Sequence, residues 1–244
     1  MPSDHTHITL DITDQIGIVK LNRPEHERTV FTVLTGEGRF FSAGADIRQN
    51  IPRAPETASA RMLFRSMIDD TKILVLALNG PGVGGGAAWF TGLADVVLAA
   101  SGAYLQVPFN SLGLVPEFGA ARTFTQSIGV RRANDLLMFG RKCTVEELEG
   151  WGLINRVFPA EEFKDQVVTF LQGQLEVNDG RSMLETKRLM NSPLRGERML
   201  AMFDAANALA ERFVAGAPFE RFVRRNEELE IASKARRGKG KAFL

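Results

Sequence analysis

Three short stretches of this chain carry residue types that do chemistry. They are Phe40-Phe41-Ser42-Ala43-Gly44-Ala45-Asp46, Gly80-Pro81-Gly82-Val83-Gly84-Gly85-Gly86, and Glu117 within Val115-Pro116-Glu117-Phe118-Gly119. Glycine-dense turns expose backbone N–H groups, and two such donors aimed at one point stabilise negative charge on a carbonyl oxygen. A carboxylate beside that point moves a proton next to the polarised carbonyl. Ser42, Ala43, Gly44 and Ala45 are small enough for a ligand carbonyl to approach the backbone. Gly84-Gly85-Gly86, at the mouth of a helix, offers unpaired N–H groups in a dipole that favours negative charge. Either turn alone is equally explained by tight packing of helix on strand. Together, each following a buried strand where α/β sites form, they favour function. Glu117 has a competing reading of its own, as an acid at a helix start interacting with the dipole.

Other chemistries fit less well. Gly80-x-Gly82-x-x-Gly85 matches a dinucleotide-binding pattern, which needs an acid ~20 positions further on for the ribose. Asp95 comes too early, and 99–107 holds no acid. Gly86 is followed by Ala87 and Ala88, not the Lys-Ser/Thr of a phosphate loop. Phe40-x-Ser42-x-Gly44 lacks the first glycine of a nucleophile elbow, and His5, His7 and His26 are the only histidines, so a serine triad has no base. With Cys143 alone, no metal-ligand spacing and no disulfide framework is present, and a reducing compartment is expected. A net charge of +1 gives no global reason to bind nucleic acid or a membrane. No apolar run reaches the ~18 residues of a membrane span, and the first residues have no basic-then-apolar leader. Lys234, Arg236, Arg237, Lys239 and Lys241 form one basic cluster, read as a solvated tail or as a phosphate or partner contact.

The elements that must position these residues are those of an α/β protein. At 244 residues, 44% hydrophobic and 24% charged, the chain builds a sizeable core. Strands are expected over 8–12, 17–21, 30–35, 73–78, 96–99 and 104–107, with a helix over 88–93. From Glu117 onward the period is helical, over 120–128, 132–139, 145–151, 161–174, 182–190, 197–214 and 219–234. This divides the chain into an α/β core over 1–190 and a helical region over 191–244. One link is too short. Only Asn22 to Thr29 separate the strand ending at Leu21 from the one starting at Val30, whereas a parallel crossover needs a dozen or so residues. Either the two strands are not parallel neighbours or a crossover helix is missing.

These motifs resemble the crotonase (enoyl-CoA hydratase/isomerase) superfamily. The resemblance runs through Leu21-Asn22-Arg23-Pro24, Leu34-Thr35-Gly36, the two glycine stretches, Pro108-Phe109-x-x-Leu112-Gly113-Leu114-Val115-Pro116-Glu117, Ala133-Asn134 and Gly152-Leu153-Ile154-Asn155-Arg156-Val157. It implies a spiral of ββα repeats, a C-terminal helical trimerisation region, an apparently missing first crossover helix and an acyl-CoA thioester substrate. It further implies that the N–H groups of Ala45 and Gly85 hold the thioester oxygen. Substrate contacts are implied for Ala43, Asp46, Ile47, Arg48, Asn79, Gly84, Phe109 and Leu114. For Asn79, support of the oxyanion turn is the favoured reading, and for Arg48 a solvated arginine is an equal one.

The acids choose among family members. Hydratases similar to this chain use two glutamates, at the positions of Ala88 and Phe109 here, and neither residue transfers a proton. Glu117 matches the catalytic glutamate of peroxisomal-type Δ3,Δ2-enoyl-CoA isomerases, although their Glu-Gly-Gly is Glu117-Phe118-Gly119 here. The resemblance thus implies a 3-enoyl-CoA to trans-2-enoyl-CoA isomerase of fatty-acid β-oxidation, with no metal or redox cofactor, and a homotrimer or dimer of trimers. The alternatives are another crotonase-type acyl-CoA reaction, such as ring-related enoyl-CoA isomerisation, or a non-catalytic acyl-CoA-binding or assembly subunit. Ala242-Phe243-Leu244 departs from the usual small-basic-leucine peroxisomal signal, so a peroxisomal location rests on the family, with the cytoplasm as the alternative.

Overall fold

The computed structural model describes residues 8–13, 16–21, 29–45 and 54–241. Strands β1 (Ile8–Thr13) and β2 (Ile16–Leu21) pair antiparallel as a hairpin that forms a sheet of its own. The predicted conflict resolves accordingly: β2 does not pair with β3 (Phe31–Thr35), so no parallel crossover spans the short link. The link itself lies outside the described residues.

The main sheet is parallel, in the order β3, β4 (Ile73–Leu78), β6 (Val96–Ala100), β9 (Arg156–Phe158). Between β3 and β4 runs α1 (Ala54–Ile68), a helix absent from the sequence-based expectation. Its signals are Pro55 in the first turn and an apolar set, Leu63, Phe64, Met67 and Ile68, at helical spacing.

Alternation along β4 and β6 sends side chains into two different cores. Leu76, Leu78, Val97 and Ala99 face one cluster, covered by α2 (Gly84–Leu93), α3 (Ala120–Phe139) and α4 (Val145–Gly150). Ile73, Val75, Ala77, Leu98 and Ala100 face the other, with Phe163, Val167 and Leu171 of α5 (Phe163–Val177). Burial on both faces explains why β4 reads as an unbroken aliphatic run, Ile-Leu-Val-Leu-Ala-Leu. A second small sheet, β5 (Gly82–Val83), β7 (Tyr104–Gln106) and β8 (Cys143–Thr144), lies on the α2 side.

α3 is broken at Gly129, whose φ of 77° and ψ of 159° are not helical. Two helices over 120–128 and 132–139 are thus what the sequence predicts and what the backbone does. The chain continues through α6 (Gly180–Asn191), α7 (Arg195–Val214) and α8 (Ala217–Lys241). α7 packs on α1 and α3, with Met202 joining Phe64 and Leu93 in a third apolar cluster.

A buried ion pair ties α6 to the sheet. Lys187 Nζ lies 2.7 Å from Asp95 Oδ2, which also accepts from the Leu74 N–H at 2.8 Å. Asn191 Nδ2 donates to Asp95 Oδ1 at 2.7 Å, so both carboxylate oxygens are engaged. Asp95, the acid that follows the glycine pattern too early in sequence, therefore serves the fold.

Candidate active site

The two glycine turns are stitched together through their backbones. The Phe41 N–H donates to Pro81 O at 3.0 Å and the Val83 N–H to Ser42 O at 2.8 Å. Ser42 and Gly82 form a parallel bridge, and Ser42 Oγ donates to Val83 O at 3.2 Å while accepting from the Gly44 N–H at 3.2 Å. Gly44 (φ 85°) and Gly84 (φ 79°) both adopt the left-handed region. A β-carbon on Gly84 would stand only 3.0 Å from Gly44 Cα. The absence of side chains is what lets the two main chains close on each other.

Beyond this contact α2 begins. Its N-cap is Val83, which supplies no side-chain bond, and a helix leaves its first N–H groups without intrahelical partners. Among the described residues, neither the Gly85 nor the Ala45 N–H donates to an acceptor. Ala45 and Ala43 are exposed, so this loop faces solvent beside the start of α2.

Glu117 is delivered to the same place by an unusual backbone. Phe118 has φ 48°, the one positive φ of a non-glycine residue among those described, and Gly119 follows at φ 78° as the N-cap of α3. Two left-handed residues in succession reverse the chain and swing the Glu117 side chain toward α2. A β-carbon built on Gly85 would lie 3.0 Å from Glu117 Oε2 and 2.5 Å from Trp89 Cζ2. Among the described residues the carboxyl has no hydrogen-bond or ionic partner. The residue keeps some exposure, yet burial of the acid raises its pKa from the usual carboxylate range to about 7. Aromatic rings form the dry wall behind it: Phe118 packs at a tilt on Phe64 at 4.4 Å and meets Trp89 edge-on at 4.5 Å.

The remaining predicted positions fall into place around this geometry. Ala88 is fully buried and Phe109 is 3% exposed, both within the core under the site. Leu114 is half-buried against the same core, its N–H donating to Phe109 O at 3.0 Å. Asn79 uses its whole amide on the preceding turn: Oδ1 accepts from the Gly36 N–H at 2.9 Å and Nδ2 donates to Gly38 O at 3.0 Å. It thus supports the turn, the alternative to a substrate contact. Asp46, Ile47 and Arg48 lie outside the described residues. Sequence reasoning missed Trp89 and Phe64; the signal for Trp89 was its place one turn after Gly85, on the helix face that must meet whatever Gly85 meets.

Residues 7–227 match the family model described as enoyl-CoA hydratase/isomerase. The chain belongs to this family, the crotonases. It is 34% identical over 231 residues to a Delta(3,5)-Delta(2,4)-dienoyl-CoA isomerase of Pyricularia oryzae, covering 82% of this chain and 81% of the relative. It is also 34% identical over 179 residues to enoyl-CoA delta isomerase 2 of Rattus norvegicus, spanning 70% of this chain and 45% of that protein. In three dimensions it is similar to an enoyl-CoA hydratase/isomerase from Pseudoalteromonas atlantica T6c, with a TM-score of 0.74 at 22% identity over 91% of this chain and 98% of the other. The α/β architecture is thus the crotonase fold, and the chain is an enzyme of crotonase type.

Proposed function

We propose that this crotonase moves the double bond of a 3-enoyl-CoA to the trans-2 position, with Glu117 as its only proton carrier. One observation supports the reading most: among the described residues, one carboxyl without a partner, its pKa raised to about 7, stands beside Gly85 where the two glycine turns meet. The other positions at which hydratase acids are expected hold the buried, non-ionisable Ala88 and Phe109. Adding water across a double bond needs a group that activates water and one that protonates carbon. A one-carboxylate site suits a reaction in which the proton removed is the proton returned.

The steps follow from the geometry. The thioester oxygen accepts from the N–H groups of Ala45 and Gly85, which stabilise the charge that develops there by roughly 2.7–4 kcal/mol per donor. Ionised Glu117 takes a proton from C2, and the electron pair moves into a dienolate spanning the oxygen to C4. Protonated Glu117 returns the proton to C4, leaving the double bond between C2 and C3. A pKa near neutrality lets the same group act first as base and then as acid. No step needs a metal or a redox group. The Pyricularia relative favours a second reading, a 3,5- to 2,4-dienoyl shift. That shift returns the proton to C6, two bonds farther from C2 than C4 is, which is harder for one carboxylate to span.

The exposed apolar residues of the last helices, among them Leu200, Phe203, Val214 and Val223, suit burial between subunits of a trimer or a dimer of trimers. A role in peroxisomal β-oxidation accords with the isomerase reading. Purified protein given a 3-enoyl-CoA is expected to develop the absorbance of the conjugated thioester, and Glu117→Gln is expected to lose it. Silence from the wild type, or full rate in the variant, ends the proposal; a 3,5-dienoyl-CoA in a parallel reaction decides between the two isomerisations.

A further inference from the structure

Glu117 rides on a loop that ends in a glycine on each side, and both glycines lie against the C-terminal helices. Gly113 (φ 74°) follows the short helical turn Asn110–Leu112, and Gly119 (φ 78°) is the N-cap of α3. A β-carbon on Gly113 would stand 2.8 Å from both Ala217 C and Ala217 O, and 3.0 Å from Pro218 N. One on Gly119 would stand 3.4 Å from Met202 N and 3.6 Å from Ala201 C. Each end of the loop thus rests on a peptide unit, Ala217–Pro218 at the start of α8 and Ala201–Met202 within α7. A peptide plane, unlike a side chain, has no rotamer through which to yield. The corner that carries the first seat is itself fixed. Pro218 is fully buried, Gly216 makes the turn with φ 83°, and Phe213 meets Phe219 edge-on at 5.9 Å and 80°. Arg212 of α7 reaches the loop directly, donating from Nε to Gly113 O at 3.4 Å. Past the other end, Glu197 of α7 takes both Arg122 and Gln126 of α3, the second at 3.1 Å. Between the seats, Phe118 joins Met199 and Met202 of α7 in one apolar cluster.

We propose that the α7–α8 corner clamps the Glu117 loop in its working position, with Arg212, Ala217 and Pro218 as positioning residues that act through Gly113. This rests on the reading of Glu117 as the proton carrier. With no hydrogen bond or ion pair to hold it among the described residues, the carboxyl stands beside Gly85 only because its backbone is held there. Only Leu114 to Phe118 separate the two seats, so a shift at either one displaces the carboxyl. Misplacing a catalytic group by about 1 Å costs on the order of a hundredfold in rate. The same shift opens the dry wall, since Phe118 lies between Glu117 and the second seat. The clamp works by shape and not by charge. The side chains clustered about Phe118 are Phe64, Met67 and Ile68 of α1, Trp89 and Leu93 of α2, and Met199 and Met202 of α7, none of them titratable. The charged groups at the two ends of the loop are Arg212 and, past Gly119, the paired Arg122 and Glu197.

Two variants test the clamp on whichever acyl-CoA the wild type turns over. Gly113→Ala drives a β-carbon into the Ala217–Pro218 peptide; Arg212→Met keeps the apolar stem and removes the donor. Both are expected to lower kcat, the first by more than tenfold and the second by about threefold to tenfold, with KM within about twofold of wild type. The acidic limb of the kcat profile is expected to move to lower pH in both, by about half a unit or more, because a loop off its seat lets water reach the carboxyl. Loss of the Arg212 charge by itself would move the limb the other way, since a nearby cation favours the carboxylate. A limb that rises in Arg212→Met therefore overturns the inference. So does a wild-type kcat in either variant, whatever its melting temperature, which would leave the corner a matter of folding alone. Should Gly113→Ala fail to fold, Arg212→Met decides. If Glu117→Gln retains full rate, the proton-carrier reading falls and takes this one with it. Wild-type kinetics in Arg212→Met, in an enzyme that needs Glu117, sinks the clamp by itself.

Discussion

Ser42 and Val83 hold each other from both sides: the Val83 N–H donates to Ser42 O at 2.8 Å, and Ser42 Oγ donates back to Val83 O at 3.2 Å. The first bond is main chain and does not depend on the Ser42 side chain; the second depends on one hydroxyl, which also accepts from the Gly44 N–H. Ser42→Ala is therefore expected to fold, with a loss of about 1 kcal/mol, and to loosen the turn that aims the Ala45 N–H. The signature is a larger fall in kcat than in thermal stability. Unchanged kcat with a lowered melting temperature assigns the hydroxyl to folding only.

Gly85 tolerates no side chain. A β-carbon there would stand 2.5 Å from Trp89 and 3.0 Å from Glu117, closer than atoms pack. Gly85→Ala is expected to cost about 1–3 kcal/mol through overpacking and to reduce turnover by more than tenfold, because the carboxyl and the helix start must move apart. Near-normal turnover measured beside a normal unfolding curve would show that the carboxyl does not need this proximity.

The ionisation of Glu117 sets two pH dependences with opposite senses. In the proposed mechanism the base is the carboxylate, so rate is expected to rise with pH through a midpoint near the raised pKa of about 7. Stability runs the other way. Between the unfolded value, about 4.5, and about 7 the folded chain holds a proton that the unfolded chain has released. Stability therefore declines as pH climbs through that window. Glu117→Gln is expected to flatten this slope and to be more stable than wild type at pH 8, by on the order of 2–3 kcal/mol. Denaturant titrations at pH 5 and pH 8 check it; parallel pH trends in the two proteins refute the burial of the charge.

Phe118 balances strain against packing. Its φ of 48° suits glycine, and Phe118→Gly would relieve about 1 kcal/mol of backbone strain. The same change removes a ring packed against Phe64 and Trp89, at a cost of about 3–5 kcal/mol. Packing wins, so the variant is expected to melt at a lower temperature. Water reaching Glu117 should also lower the midpoint of its rate profile. A variant at least as stable as wild type would show the ring to be poorly seated.

Asn79 tests where substrate contacts end. Both ends of its amide are committed to Gly36 and Gly38. Asn79→Ala should lower stability by about 1–2 kcal/mol with KM for the acyl-CoA nearly unchanged. A tenfold rise in KM at constant stability would return it to the substrate.

The chemistry of this protein was legible where it is written in local rules. Glycines between a buried strand and a helix announce a backbone that must come close to something, and β4 announces itself by six aliphatic residues in a row. The break of α3 at Gly129 was legible for the same reason, since Gly129 there has φ 77°. What could not be read was what meets what across the chain. Nothing local says that Ser42 will bridge to Gly82, or that Phe64 will lie under Phe118, because both contacts are made only when the sheet brings distant segments together. α1 was overlooked because its apolar spacing is diluted by exposed polar positions in a segment dominated by its flanks. Glu117 was legible as a candidate proton carrier from the motif around it; the rings of Phe64 and Trp89 behind it were not.

The two halves of the site are encoded in different media. In the proposed mechanism the donors for the oxygen are main-chain groups shaped by the Gly44–Gly84 contact, so they persist whatever side chains surround them. The proposed proton carrier is one side chain on a separate turn, and the buried Ala88 and Phe109 show that the positions of the hydratase acids can hold residues with no acid at all. Electrophile activation and proton delivery can therefore diverge independently in descendants of this chain. A new reaction requires only that an acid be gained, lost or moved around a hole that stays as it is.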